Sequence, residues 1–435
     1  MLIAHFSDLH YSPSHLVEAD RCFSFAVTAA IERGASLAVV SGDATDHRLD
    51  AHSRALNALA TQIHRLANAM PVIMLQGTFS HEPPGTLDNF TYMFGEYPIL
   101  VANRVMQAAL VGKEFIVSKG PTFDAAEITT LLMRNPSVIA TCLPTLHKGR
   151  VALAVGAQEA ATASADILGD YLRDAGLVND RLRSTGFATI GISHGTVVGC
   201  QTEHGVSMAG FDHEFSTNAL FDARCSAFML GHIHLSQSWT QHGQTVAYAG
   251  SIGAFHYGEI GQKGFLLWNV DEDAASYELV PTPARKTITV DCNGLPDMDL
   301  LVELAAASAD KFVRVRWQID EEHRQAVDRK EIERLFKDAA ELKLEGRILP
   351  VTRSRAEGIS VAVGLDAKLQ RWAEVADVTA KPLVERLDLM FAADAESIAQ
   401  QVIADLRADG VMSESVVEEP GLIGNDENEI FSSLF

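Results

Sequence analysis

Several short apolar runs in this chain break off at acidic or imidazole side chains, and stretches with helical spacing lie between them. MLIAHFSDLH stops at Asp8 and His10, SLAVVSGD at Asp43, and PVIMLQG leads to His81. FATIGISH ends on His194, and AFMLGHIH on His232 and His234. Runs this short and this continuously apolar predict strands covered on both faces. Residues 18–33 place Cys22, Phe23, Phe25, Ala26, Ala29 and Ala30 at helical spacing, and further helices are expected at about 52–68, 162–175 and 215–223. Strands alternating with helices predict an α/β architecture with the helices outside. All the polar residues named above then fall at strand ends, the edge where such sheets build their sites.

The segment 98–155 breaks into short alternating pieces (ILVANRV, AALVGKEFIVS, SVIATCLP) and is read as strands and loops. After PTPARK (281–286) the pattern restarts as TITVD, MDLLVELAAASA, FVRVRWQI, RKEIERLFKDAA and LKLEGRIL, a βαβαβ module of about 65–70 residues. Beyond about 360 the periodicity is helical only. The end, SESVVEEPGLIGNDENEIFSSLF, is acidic and broken by glycine and proline. The expected partition is 1–284, 285–357, 358–412 and 413–435, with the last segment an acidic flexible tail.

At 435 residues the chain exceeds what one core needs. No apolar run approaches the length of a membrane span, and MLIAHFSDLH has no basic leader region, so a cytoplasmic protein without membrane contact is expected. The five cysteines, at 22, 142, 200, 225 and 292, form no CxxC pair, which points to reduced thiols and no zinc ribbon. Net charge is −22, and residues 371–435 hold 14 acids against 4 bases, a net of −10. Bulk electrostatics therefore do not drive nucleic-acid binding, although acids that hold cations would be neutralised.

Each strand-end motif alone is more often a cap or a turn. GHxH says more, since two imidazoles two residues apart on extended chain point the same way. The ordered combination is hard to produce by chance. Carboxylates with imidazoles suit Mn²⁺, Fe²⁺ or Zn²⁺ better than Ca²⁺ or Mg²⁺. Asp43 is the natural bridge, because one carboxylate can bind two ions, and two ions about 4 Å apart clamp a phosphate and acidify a water. His81 would stand beside the phosphate and protonate the leaving oxygen.

In these motifs the sequence resembles the calcineurin-like metallophosphoesterases, and more closely the nuclease subunit of SbcC–SbcD-type double-strand-break-processing exonucleases. AYAGSIGAFHYGEIGQKGFLLWNV (247–270) is similar to that family's segment after GHxH, and the likeness covers roughly residues 1–355. It implies a sandwich of two mixed β-sheets flanked by helices, with a small α/β capping domain (285–357) facing DNA and a helical segment (358–412) docking on an SMC-like ATPase. It implies two divalent ions, Mn²⁺ foremost, with Mg²⁺, Fe²⁺ or Zn²⁺ as the alternatives. Asp8, His10, Asp43 and His234 would hold the first, Asp43, His194 and His232 the second, and His81 would be the catalytic histidine. A homodimer is implied too, and the terminal EIFSSLF resembles a peptide that docks on a replication protein. No G-x-x-x-x-G-K-[ST] occurs, so the ATPase would be another chain.

The departure is at LQGTFSHE (75–82). The family's Gly-Asn-His-Asp gives an asparagine oxygen to the second ion. Here three residues separate Gly77 from His81, and Ser80 fills the asparagine slot. Either Ser80 coordinates, directly or through water, or the longer loop offers a carbonyl, or substrate phosphate completes the shell. Glu82 replaces the usual aspartate behind the ligands. Asp46 is expected behind the ligands or capping the loop, and His47 near substrate phosphate. Arg285, Arg314 and Arg316 could contact DNA backbone, although salt-bridged surface roles suit each of them as well. The expected activity is a metal-dependent DNA exonuclease or endonuclease of repair, recombination or replication. A small-molecule or cyclic-nucleotide phosphodiesterase or phosphatase, and a catalytically weakened scaffold subunit, stay open beside it.

Overall fold

The computed structural model describes residues 1–50, 52–145, 160–202, 214–259, 261–349 and 358–408. They fall into two compact units: Met1–Ile319 with His323–Ile348, and Asp320–Glu322 with the chain from Leu349 onward. Along the first unit run β1 (Leu2–Phe6), α1 (Leu16–Glu32), β2 (Leu37–Val40), α2 (Arg54–Ala67), β3 (Val72–Leu75), β4 (Ile99–Ala102), β5 (Met106–Val111), β6 (Glu114–Val117), α3 (Ala125–Arg134) and β7 (Val138–Leu143). They are followed by α4 (Ala160–Arg183), β8 (Thr189–His194), β9 (Thr196–Val197), β10 (Glu214–Phe215), α5 (Thr217–Asp222), β11 (Ala227–Gly231), β12 (Gln237–Gln241), β13 (Gln244–Tyr248), β14 (Gly264–Val270) and β15 (Ala275–Pro281).

The architecture is α/β, with two mixed sheets packed face to face and flanked by helices. The first has the order β15-β14-β1-β2-β3-β4, with β1 to β4 parallel and β14 and β15 antiparallel. The second has the order β12-β13-β11-β8-β7-β5-β6, with β7, β8, β11 and β13 parallel. Ile3, Val39, Ile73 and Leu75 of the first sheet meet Ala140, Ile192, Met229 and Ala247 of the second in one core. The residues between them in sequence point the other way, as the two-residue period of a strand requires. Ala4, Phe6, Val40 and Met74 pack under Phe23 and Ala26 of α1 and Leu59 and Ile63 of α2. On the second sheet, Phe228, Leu230 and Val246 pack under Leu172 of α4 and Leu220 of α5. Covering both faces explains why these strands read as unbroken apolar runs.

Residues 125–134 correct the reading of 98–155 as strands and loops, since they form α3. Asp124 accepts from the backbone of Ala126 and Glu127, and the Glu127 side chain returns to the Asp124 backbone. This D-x-x-E capping box is visible in the sequence, and its two reciprocal bonds satisfy amides that a short helix otherwise leaves open. The polar strands β12 and β15 also escaped the apolar-run criterion. Each is the last strand of its sheet, where one flank has no partner strand.

The chain continues as β16 (Thr287–Asn293), α6 (Met298–Ala305), β17 (Phe312–Asp320), α7 (Arg329–Leu335) and β18 (Glu341–Leu349), with strand order β16-β17-β18. Val290, Leu301, Val313, Val315, Ile332 and Phe336 form its own small core. Arg21 of α1 and Arg285 of the connection between β15 and β16 both pair with Asp310, and the Tyr257 ring lies 4.9 Å from that of Phe312.

The second unit contains α8 (Leu365–Ala376), α9 (Lys381–Ala392) and α10 (Ala395–Ala408), each packed on the next. Pro382 in the first turn of α9 costs no hydrogen bond there. Met390, Phe391, Val402 and Ile403 are exposed. The terminal EIFSSLF and the whole acidic segment 413–435 lie outside the described residues. Among the described residues no helix is long and apolar enough to cross a membrane.

Candidate metal centre

Because β1, β2 and β3 are parallel, their C-terminal ends share one edge. The same holds for β8 and β11, and face-to-face packing brings the two edges together. Hydrogen bonds stitch the seam. His194 Nδ1 lies 2.8 Å from the Ser41 carbonyl, and the His232 amide donates to Asp8 at 3.1 Å. The amides of Asp8 and His10 donate to the carbonyls of Gly42 and Asp43. By donating from Nδ1, His194 leaves Nε2 free as a lone-pair donor.

Approach is close enough to dictate glycine twice. A Cβ on Gly77 would lie 2.2 Å from the Asp43 amide nitrogen, and one on Gly231 would lie 2.4 Å from the Ser41 carbonyl oxygen. Asp8, His10, Asp43 and His232 all adopt positive φ, between 47° and 100°. Backbone in this region is unfavourable for residues with a Cβ and concentrates at functional sites. Four such residues meeting at one seam mark it independently of any motif.

Two groups of donors result. Asp8 Oδ1 lies 4.0 Å from His10 Nε2 and 3.9 Å from His234 Nε2, and those two nitrogens face each other at 2.9 Å. Asp43 Oδ2 lies 3.2 Å from His194 Nε2, and the rings of His194 and His232 are 5.3 Å apart. In each of the groups Asp8–His10–His234 and Asp43–His194–His232 the donor atoms lie within 4.8 Å of one another. Asp8, Asp43 and His194 are at most 2% exposed. Mixed carboxylate and imidazole donors, buried or half-buried and converging from four strand ends, fit a pair of divalent transition-metal ions.

The electrostatics agree. Burial resists ionisation of Asp8 and Asp43, yet His194 and the other imidazoles hold both carboxyls below the usual range. Burial and His234 push His10 down to about 3, while burial and His194 push His232 down to about 4. Neutral imidazoles are what a cation needs. Two imidazoles differ: against burial, Glu259 and Asp8 raise the pKa of His234, and Asp43 and Asp8 raise that of His194 to about 9. A divalent ion would displace that proton and take over the neutralisation of Asp43.

His81 stands at the rim, a third exposed, with Nδ1 2.8 Å from Asp46 Oδ1. That bond raises its pKa against the opposing effect of burial. Asp46 also lies 2.7 Å from His47 Nδ1 and 3.9 Å from His10 Nδ1. It therefore orients both a ligand and the rim histidine, and His10, Asp46 and His81 make a third group of converging donors. If His81 gives up a proton in the reaction, Asp46→Asn should move the alkaline limb of the kcat–pH profile to lower pH, because loss of the carboxylate lowers the His81 pKa. An unmoved limb would show that Asp46 acts otherwise.

Glu82 is fully buried. One carboxylate oxygen accepts from the Ala44 amide at 2.5 Å and the other from the Gly77 amide at 2.7 Å. It thus ties the loop after β2 to the loop after β3. Burial and nearby Asp43 raise its pKa to about 7.

Ser80 requires a correction. It is exposed at the tip of the loop, not turned into the seam. The extra residues form a turn in which the Thr78 carbonyl accepts from the amides of His81 and Glu82, so His81 returns to the rim while Ser80 swings out. The hydroxyl that reaches the site is Thr78 Oγ1, 3.1 Å from His194 Nε2. Sequence reasoning missed it by counting back from His81; counting forward from Gly77 finds it. Glu259 and Lys263 were also missed. Lys263 pairs with Glu259 at 2.5 Å and donates to the His234 carbonyl at 2.9 Å, and Glu259 lies 3.6 Å from His234 Nδ1. Their i,i+4 spacing in GEIGQK was the available signal.

The three candidate DNA-contacting arginines are already paired: Arg285 with Asp310, Arg314 with Glu345, and Arg316 in a two-pronged bond to Asp291. His47 is exposed, beside Asp46.

No family model matches the chain, and no curated protein matches it. Among solved structures, the chain is similar to GAP50, the anchor in the inner membrane complex of Plasmodium, at 10% identity and a TM-score of 0.40, over 65% of this chain and 85% of that one. It is also similar to a dimetal phosphatase from Danio rerio, at 11% identity and a TM-score of 0.38, over 64% of this chain and 98% of the other. Likenesses this low carry no argument about function, which rests on the site's own geometry.

Proposed function

We propose that this chain is a two-metal phosphodiesterase acting on DNA, the nuclease subunit of an assembly driven by an SMC-like ATPase. The observation that carries the chemistry is the meeting of the Asp8–His10–His234 and Asp43–His194–His232 groups at one buried seam, with the His81–Asp46 pair at its rim. Bound divalent cations supply charge neutralisation of a phosphate and acidify a water. The chain's own residues do the rest. Asp8 and Asp43 supply the negative charge that fixes cations, and the neutral imidazoles of His10 and His232 add donors without adding charge. His81, kept protonated by Asp46, stands where a leaving oxygen would be expelled and hands it a proton.

The choice of DNA, the partition into 1–284, 285–357, 358–412 and 413–435, and the ATPase partner rest on the sequence resemblance. The small module packed on the sandwich and the exposed apolar side chains of α9 and α10 are compatible with that assembly. One observation favours a second reading, a small-ester phosphodiesterase. Arg285, Arg314 and Arg316 are tied up in ion pairs and the chain carries a net −22, so basic surface for a DNA backbone would have to come from a partner. Assays of purified protein on linear duplex DNA and on a chromogenic phosphodiester, with and without Mn²⁺, separate these readings. Metal-dependent duplex degradation is expected. Cleavage of the small ester alone would select the second reading, and inactivity on both would point to a scaffold.

A further inference from the structure

Asp43, His194 and His232 provide one carboxylate and two imidazoles, a three-donor set that leaves coordination positions open to a further oxygen. The loop after β3 supplies one. The Thr78 amide donates to Asp43 Oδ1 at 2.6 Å. Its carbonyl faces away, accepting from the amides of His81 at 3.0 Å and Glu82 at 2.6 Å. Of the polar atoms of this residue only the hydroxyl is left for the seam, and it lies 3.1 Å from His194 Nε2, which is itself 3.2 Å from Asp43 Oδ2. Glu82, bonded to the Gly77 amide, holds the start of the loop one residue before Thr78, and Gly77 has no room for a Cβ beside Asp43. Thr78 is thus anchored through both its amide and its carbonyl, which places its Cβ at the seam, and the rotamer it adopts carries the hydroxyl to His194.

We propose that Thr78 Oγ1 is an oxygen donor to the divalent cation held by Asp43, His194 and His232, and that Ser80 takes no part. This rests on the two-metal reading above and deepens it. A neutral hydroxyl binds a hard or borderline cation more weakly than a carboxylate does, so this position is the looser of the pair. The other group, with Asp8 and two histidines whose Nε2 atoms converge, binds first. The same turn that delivers Thr78 also seats His81, so the loop couples occupancy of the looser position to the placement of the rim histidine.

The test is calorimetric titration of metal-free, full-length protein with Mn²⁺, for the natural chain and for Thr78→Val, Thr78→Ser and Ser80→Ala. Thermal unfolding of each metal-free variant controls for folding. The natural chain is expected to bind two ions with unequal affinity. Thr78→Val keeps the shape and removes the donor, so the weaker step should lose on the order of tenfold in affinity while the tighter step is unchanged. Thr78→Ser should restore it, and Ser80→Ala should match the natural chain. The proposal is overturned if Thr78→Val binds both ions as the natural chain does, if Thr78→Ser is as weak as Thr78→Val, or if Ser80→Ala loses the second ion. Binding of fewer than two ions by the natural chain would instead bring down the two-metal reading itself, and this proposal with it.

Discussion

Asp43→Asn is expected to abolish tight binding of a second Mn²⁺ and to lower phosphodiester hydrolysis on the order of 10³-fold. The substitution is nearly isosteric, so it isolates charge. Asp43 lies in the seam between both donor groups, with Oδ2 on His194, Oδ1 on the Thr78 amide, and a negative charge that the surrounding imidazoles sustain against burial. An amide there keeps one acceptor oxygen and loses the charge that offsets a divalent ion. The effect reaches His194 as well. Its pKa of about 9 depends on Asp43 and Asp8, so the variant lowers it. Imaging its protonation by NMR would therefore report the substitution even without metal. An Asp43→Asn protein that binds two ions with unchanged affinity would remove the bridging role assigned to this residue.

The second large effect is at His81. His81→Ala should reduce cleavage of duplex DNA by roughly 10²–10⁴-fold, the usual worth of a positioned general acid, while both ions bind as before. The loss should depend on the leaving group. An alkoxide leaving from DNA needs a proton, whereas p-nitrophenolate leaves readily without one, so a chromogenic diester should lose much less. Equal losses on the two substrates would show that His81 acts on the phosphate or the water and not on the leaving oxygen. Because the His81 side chain is a third exposed and hydrogen-bonds to Asp46, while its backbone is held by the turn and by Thr45 Oγ1, its removal leaves the buried donor groups intact.

Much of the sandwich was legible because its strands are buried on both faces. Such strands must be apolar throughout, and LAVV or VIML can hardly be anything else between amphipathic helices. The ligands were legible because strand termini are where chain direction, and hence apolar composition, changes abruptly. The segments that misled are those where local polarity competes with position. Helix α3 declares itself by the Asp124–Glu127 box and not by its apolar content, and β12 and β15 are half-polar because each borders a strand on one side only. The arginines of RVRW take the salt-bridged role that the sequence allowed them, but their carboxylate partners, Asp291 and Glu345, come from neighbouring strands of the module and only the fold names them.

The order of Asp8, His10, Asp43, His81, His194, His232 and His234 at strand ends was set by sequence alone, since hydrophobic periodicity decides where a strand stops. Which atoms converge was decided only when two sheets packed face to face, bringing β8 and β11 against β1 and β2 from more than a hundred residues away. The identity of the loop hydroxyl shows the difference most plainly. Counting residues put Ser80 beside the cations, but a turn closed by the Thr78 carbonyl and a buried Glu82 carboxylate turns Ser80 out to solvent and Thr78 in. Backbone hydrogen bonds within a loop have no periodicity to read, so only the folded chain could settle which oxygen faces the site.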